Sequence, residues 1–248
     1  MDVVWLVFLG VLLAGYFALE GFDLGVGMLL PVLGRSRERR DAMVAAIAPF
    51  VLANEVWLVA AAGALFGAFP VLEGEVLFEL YPLVVGMLLA WILRDAGLWF
   101  RRRADAPAWR GLWDRVIALG SLVLSFGWGL VLYAIATGFD GSLWHPVGLL
   151  LGVLVTLAFA YHGRTFLAGR VPEFAGPGSL PMSAVLAALP VAAVLVAAVP
   201  ELRDHAAPGD TLGPLTLLVL PFVPVMIGVQ VWVWRTFRPG SDRIPSFF

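Results

Sequence analysis

The chain alternates between long apolar runs and short polar stretches. Each run has roughly 20 or more residues, the length that a helix needs to cross the hydrocarbon of a bilayer. The predicted spans are residues 3–33, 44–69, 77–98, 115–137, 146–168, 182–200 and 214–236. The pattern therefore predicts an all-α integral membrane protein, built as a bundle of about seven transmembrane helices.

Composition narrows the chemistry of this bundle. Of the 248 residues, 61% are hydrophobic and 14% are charged, and there is no cysteine. The absence of cysteine excludes disulfides, thiolate metal sites, iron–sulfur clusters and the covalent haem attachment motif. We expect one membrane domain over residues 1–248, with a four-helix half at 1–137 and a shortened three-helix half at 145–238.

The distribution of arginine predicts the orientation. All sixteen basic residues are arginine, and fifteen of them fall in alternate loops or in the C-terminal tail, which contains Arg243. This count assigns Arg94 to the third loop and leaves Arg203 as the exception. By the positive-inside rule, we expect the N-terminus outside the cell and the C-terminus in the cytoplasm.

Acidic residues interrupt the first two spans. Glu20 and Asp23 lie in "GYFALEGFDLGVGMLLP", and Glu55 follows Asn54 in "FVLANEVWL". A helical rise of about 1.5 Å per residue places all three acids well inside the membrane, where a carboxylate costs roughly 2.5–3.5 kcal/mol. Because a short loop joins the two spans, we expect the acids to form one polar cluster with Asn54 and Tyr16.

This cluster has two interpretations. Ionisable groups in membrane spans usually face a bundle interior or a water-filled cavity, which favours a proton or ion path or a polar contact with a partner. Alternatively, protonated Glu20 and Glu55 hydrogen-bond Asn54 and Tyr16 and only hold the helices together.

Histidines and serines offer little catalytic chemistry. Only His162 lies inside or at the edge of a span, and no second histidine in hydrocarbon is available to pair with it as a haem ligand. We therefore expect His162 to bond backbone or a neighbouring helix, and we expect no metal site. No serine sits in a nucleophile-elbow context, so no catalytic residue is predicted for the chain alone.

Several of these segments occur together in one known family. The stretch "GYFALEGFDLGVGMLLPVLGRSRERRDAMVAAIAP", continued by "NEVWLVAAAGALFGAFP", closely resembles the N-terminal half of subunit II of cytochrome bd-type quinol oxidases. The likeness extends to about residue 137 and resumes more weakly at "YHGRTFL" and "LPFVPVMIGVQVWVWRTFR".

The resemblance implies a role in a respiratory complex of the bacterial cell membrane. In that family, subunit II binds subunit I, which carries the b- and d-type haems and the quinol site, and the complex oxidises quinol and reduces oxygen. Small accessory subunits, bound lipid and a structural quinone are possible further components. The resemblance further implies that subunit II contributes a proton route from the cytoplasm and lines an oxygen route. By position, Glu20 and Asp23 match the acids of the family's "GFDLG" helix, and Trp57 matches the tryptophan of "NEVWL" near the oxygen route.

Two departures from the family pattern are visible. The family commonly reads "WDGNEVWL" where this chain reads "VLANEVWL", so Leu52 replaces an acid of the usual proton route. The second half is also shorter than the family's four spans. Glu20, Asp23 and Glu55 take over the proton function, or protons enter through subunit I alone, or the coupling is altered.

The expected function is therefore a non-catalytic subunit of a quinol oxidase. The alternatives are a secondary transporter or ion-translocating membrane protein that uses the buried acids, and a purely structural or assembly subunit. Nucleic acid is not an expected partner.

Overall fold

The computed structural model describes residues 2–199, 202 and 205–239, and within these residues it is helical without strands. Arg203 and Arg243, which entered the orientation count, lie outside the described residues. The α-helices are α1 (Asp2–Leu33), α2 (Arg37–Ile47), α3 (Val51–Ala68), α4 (Pro70–Glu79), α5 (Tyr81–Phe100), α6 (Pro107–Ala136), α7 (Pro146–Arg170), α8 (Leu180–Ala197), α9 (Gly209–Val219) and α10 (Phe222–Thr236).

Six of these helices are long and apolar enough to cross a membrane: α1, α3, α5, α6, α7 and α8. Helices α9 and α10 form a pair bent by 41° that counts as a seventh span if it crosses as one unit. The prediction of an all-α membrane bundle with about seven spans is confirmed for the described residues.

The start of the second span differs from the prediction. The apolar run was expected to begin at residue 44, but the structure has a separate helix, α2, that ends at Ile47, and α3 begins at Val51. The side chain of Ser36 caps α2 by accepting a hydrogen bond from the backbone N–H of Arg39. Pro49 lies in the turn between α2 and α3, where it has no backbone N–H to continue the hydrogen bonds of α2.

Helix α1 lies at the centre of the bundle. It packs against α3, α6, α7 and α8, while α5 packs on α6 and α6 on α7. Every residue from Glu20 to Gly27 is buried, so other helices surround this part of α1 on all sides. The proposed division into two halves stays a prediction, although α7 and α8 both pack directly on α1.

Helices α1 and α7 cross with their backbones in contact. A methyl group added at Gly25 would overlap the carbonyl of Phe159, and one added at Gly163 would overlap the backbone of Gly25 and Val26. Glycine at these two positions therefore lets the helix axes approach more closely than any larger residue permits.

Aromatic rings around Arg170 hold the end of α7 near α10. The guanidinium carbon lies 4.6 Å from the ring centroid of Phe50, 5.1 Å from that of Phe166 and 5.0 Å from that of Trp234. Arg170 also donates a hydrogen bond to the carbonyl of Phe237. These cation–π contacts connect the α2–α3 turn, α7 and α10 at one end of the bundle.

Candidate functional site

A buried arginine organises the acids of the membrane spans. The Nη1 atom of Arg94 on α5 lies 2.7 Å from Glu20 Oε1, 3.4 Å from Glu55 Oε1 and 3.1 Å from Asp95 Oδ1. The Arg94 side chain is only 1% exposed. We call Arg94, Glu20, Glu55 and Asp95, together with Asp23, the acid cluster.

The position of Arg94 corrects the sequence interpretation. Arg94 was assigned to a loop, whereas it lies inside α5 on the face that also buries Ala90, Gly97 and Leu98. Gly120 of α6 makes room for it, because a methyl group there would contact the Arg94 Cβ. One of the fifteen arginines that support the predicted orientation therefore lies inside a helix and not in a loop.

Asp23 is held by amide groups. Asn54 Nδ2 donates to Asp23 Oδ2 at 2.7 Å and to the carbonyl of Leu19 at 3.1 Å. Gln230 Nε2 of α10 donates to Asn54 Oδ1 at 2.9 Å, and Trp57 Nε1 donates to Gln230 Oε1 at 3.2 Å. Four side chains from three helices thus form one hydrogen-bonded chain, which we call the amide chain.

Tryptophans close both sides of the cluster. Trp91 Nε1 donates to Glu55 Oε1 at 2.9 Å, and Trp128 Nε1 of α6 donates to the Tyr16 hydroxyl at 3.4 Å. Tyr16 lies one helical turn from Glu20 on α1. The polar groups of α1 therefore continue from Asp23 through Glu20 to Tyr16 along one side of the helix.

The cluster keeps unused hydrogen-bonding capacity. Glu20 Oε2, Asp23 Oδ1 and Arg94 Nη2 are buried and have no hydrogen-bond partner among the described protein atoms. Buried polar atoms are nearly always hydrogen-bonded to protein or to ordered water. The arrangement can therefore accept water molecules or exchange protons without breaking the contacts already made.

His162 on α7 forms hydrogen bonds with the neighbouring helices α1 and α8. Its Nε2 is 2.8 Å from the carbonyl of Ala18, and its Nδ1 is 2.8 Å from the Ser183 hydroxyl. A carbonyl only accepts, so Nε2 carries the proton that bonds Ala18. Both ring nitrogens are thus engaged by α1 and α8, and this histidine does not fit an axial haem ligand.

A second set of ionic contacts lies at the end of the bundle where α2, α5 and α6 meet. Arg101 binds Asp41 and Asp114, and Arg40 lies 2.9 Å from Asp114. Arg110 Nη2 donates to Asp105 Oδ1 at 2.9 Å, and this hydrogen bond lowers the pKa of the exposed Asp105 carboxyl. These contacts join α2 to the α5–α6 hairpin.

The structure brings together Tyr16, Glu20, Asp23, Asn54, Glu55 and Trp57, the residues predicted as a polar cluster or proton and oxygen routes. Leu52 is 60% exposed on α3, so its side chain points away from this cluster. The described residues contain no group of three or more histidine or acidic side chains placed to hold a metal ion.

The sequence analysis missed five contributors to the site: Arg94, Asp95, Trp91, Trp128 and Gln230. The sequence did contain a signal for Arg94, because a charged residue inside an apolar run of this length is a candidate for burial in the bundle. The sequence also contained a signal for Gln230, which is the only amide side chain in the predicted span 214–236. For Trp91, nothing in the sequence distinguishes a hydrogen-bonded indole from one at the membrane interface.

Fold and site together define a polytopic helical membrane protein with a buried ionic cluster. The family model for cytochrome bd terminal oxidase subunit II matches residues 1–202. The chain belongs to this family and is a multi-pass protein of a bacterial cell membrane.

Named relatives agree with this assignment. Subunit 2 of cytochrome bd-I ubiquinol oxidase from Escherichia coli strain K12 is 34% identical over 182 residues, which are 67% of this chain and 48% of the relative. Cytochrome bd ubiquinol oxidase subunit 2 from Bacillus subtilis strain 168 is 37% identical over 177 residues, 67% of this chain and 52% of the relative. The chain spans about half the length of the curated relatives it matches.

Proposed function

We propose that the chain acts as subunit II of a membrane quinol oxidase and passes protons through the acid cluster toward a haem-bearing subunit I. The proposal rests above all on one observation, that a single buried arginine serves three carboxylates. Quinol oxidation and oxygen reduction belong to the complex, and this chain alone catalyses neither.

Charge balance makes the cluster suitable for holding protons. Arg94 supplies one positive charge, whereas Glu20, Asp23, Glu55 and Asp95 would supply four negative charges if all were ionised. Unbalanced charge is costly in a low-dielectric interior, so the carboxyl groups share protons among themselves. A proton that arrives at one of them displaces another without a large change in net charge.

The rim of the cluster faces a partner. Glu55 on α3 is mostly buried, with 9% of the residue exposed, and the Asp95 side chain is 26% exposed on α5. A carboxylate against lipid is unfavourable. Subunit I therefore covers the α3–α5 face, and Glu55 and Asp95 are the groups that transfer protons to it.

The haems are held by subunit I. His162 has both ring nitrogens in hydrogen bonds, which argues against haem ligation by this histidine. Trp57 lines the oxygen route, and the arginine-rich end of the bundle, with Arg40 and Arg101, faces the cytoplasm.

Substitution of the two glutamates tests the proposal. The chain is co-expressed with its candidate subunit I, and haem spectra and quinol-dependent oxygen uptake are measured for Glu20→Gln and Glu55→Gln. We expect normal haem content and uptake reduced by about 100-fold, the effect of losing a proton-transfer group. Glu79→Gln, which alters an exposed acid on α4, is the matched control and keeps full activity.

Other outcomes separate the alternatives. Loss of haem in both glutamate variants indicates a structural or assembly role. Normal haem content with normal uptake excludes the cluster as a proton route. A chain that purifies stably without a haem-bearing partner favours a transporter.

A further inference from the structure

Helix α10 contributes a polar side chain that the sequence analysis did not predict as part of the site. Helix α10 lies beyond residues 1–202, which the family model matches. It packs on α3, and its buried residues are Gln230 and Val233. Most of its other side chains are apolar and face outward, so Gln230 is the one amide that this helix places inside the bundle.

The hydrogen bonds of Gln230 have a fixed direction. An indole N–H only donates, so Trp57 must meet the oxygen of Gln230, 3.2 Å away. The Gln230 NH₂ group then faces Asn54 and needs an acceptor, which places the Asn54 oxygen at 2.9 Å. Consequently the Asn54 NH₂ group points at Asp23, 2.7 Å away.

The reverse orientation is unfavourable at every step. If Asn54 turned its oxygen to Asp23, that oxygen would also face the carbonyl of Leu19. Three acceptors would then meet without a hydrogen between them. Gln230 and the Leu19 carbonyl therefore act together to hold the Asn54 NH₂ group toward Asp23.

We infer that Gln230 is a positioning residue, which acts through Asn54 to hold Asp23 in the orientation that the acid cluster requires. Its role in turnover rests on the proposed function. The effect on Asp23 itself does not, because the carboxyl group can be observed directly.

The other charged groups around Asp23 must stay unchanged in the test. Glu20 on α1, Glu55 on α3 and Arg94 on α5 all act on this carboxyl group. The substitutions are therefore confined to the amide chain, and none of these three residues is altered.

Infrared spectroscopy of the complex with ¹³C-labelled aspartate reports on Asp23. The carboxyl absorption band of Asp23 is identified as the band that disappears in Asp23→Asn. We expect Gln230→Leu to shift the band and to reduce oxygen uptake by up to about tenfold, the upper value of one neutral hydrogen bond, here the one from Gln230 to Asn54. Val229→Leu changes the preceding, outward-facing residue and leaves both measurements unaltered.

A conservative variant provides a rescue. In Gln230→Glu, the protonated acid can accept from Trp57 and donate to Asn54, so the Asp23 band returns to its wild-type position at acidic pH. Ionised glutamate has no donor, and the band moves toward the Gln230→Leu position as the pH rises. A purely packing role for Gln230 would not produce this pH dependence.

The inference is wrong if the Asp23 band stays at its wild-type position in Gln230→Leu. Should that variant fail to accumulate, Trp57→Phe removes the donor that orders the amide chain, and an unshifted band there contradicts the inference equally. Reduced uptake without a band shift reassigns Gln230 to packing. A band shift with full uptake retains the positioning role and counts against the proton route through Asp23.

Discussion

Replacing Arg94 with methionine tests whether the acid cluster depends on its single cation. Methionine fills much of the same volume and is unbranched, so the main change is the loss of charge. Glu20, Glu55 and Asp95 then remain buried or half-buried without the guanidinium that contacts all three.

The expected cost follows from the burial of this arginine, which is 1% exposed. Removing one partner of a buried ion pair costs about 3–5 kcal/mol, because the remaining charge stays in a low-dielectric site. That range corresponds to a change of about 10²–10⁴-fold in the unfolding equilibrium. An exposed arginine has no such penalty, and Arg115→Met on the surface of α6 should stay within about 0.5 kcal/mol of the wild type.

A double-mutant cycle separates charge from packing. Equilibrium unfolding of the purified protein in mixed micelles gives the free energy of unfolding for Arg94→Met, Glu20→Gln and the double variant. Because glutamine removes the unpaired charge, the double variant should recover about 1–3 kcal/mol relative to Arg94→Met. A coupling energy below about 0.5 kcal/mol would mean that Arg94 stabilises the bundle by packing alone, and our account of the cluster would be refuted.

Three further predictions concern other parts of the bundle. Gly25→Ala forces the backbones of α1 and α7 apart and should lower the free energy of unfolding by about 3 kcal/mol, whereas Gly63→Ala, which meets open space, should not lower it. Arg170→Leu removes a cation from three aromatic rings and should cost about 2 kcal/mol. Asp105→Asn should lower stability above about pH 4, because the folded pKa of Asp105 lies below its unfolded value of about 3.9. That difference should disappear as the pH falls through the folded pKa.

Each of these predictions has a contradicting result in the same unfolding assay. Equal destabilisation by Gly25→Ala and Gly63→Ala would show that close approach of α1 and α7 is unimportant. Wild-type stability of Arg170→Leu would mean that the rings hold α10 without the cation. A stability difference for Asp105→Asn that persists at pH 2 would exclude the ionised carboxylate as its source.

The fold was predictable wherever it depends on the length of apolar runs. Helix α1 and the presence of an apolar segment at 214–236 follow from hydropathy alone, because the bilayer sets the length of a span. The bend of 41° between α9 and α10 was not predicted. The break before α3 was missed although Pro49 marks it, since α2 continues into the apolar run and its hydropathy hides the turn.

The partners in the acid cluster were much harder to predict than its acids. Glu20 and Asp23 stand out because carboxylates are rare in apolar segments. The pairing of Glu20 with Arg94 depends on how α5 rotates against α1, and no local pattern specifies this rotation. Gln230 reaches Asn54 across 176 positions of sequence, a contact that only tertiary packing determines.

The central position of α1 also affects how the protein is synthesised. Glu20 leaves the ribosome 74 residues before Arg94, an interval of roughly 4–15 s at about 5–20 residues per second. During this time α1 enters the membrane region with two acids and without its counter-ion, and the packing surfaces of α7 and α8 have not yet been made. Completion of the acid cluster is therefore a late event in biogenesis, determined by the arrival of α5 and not by the insertion of the acids.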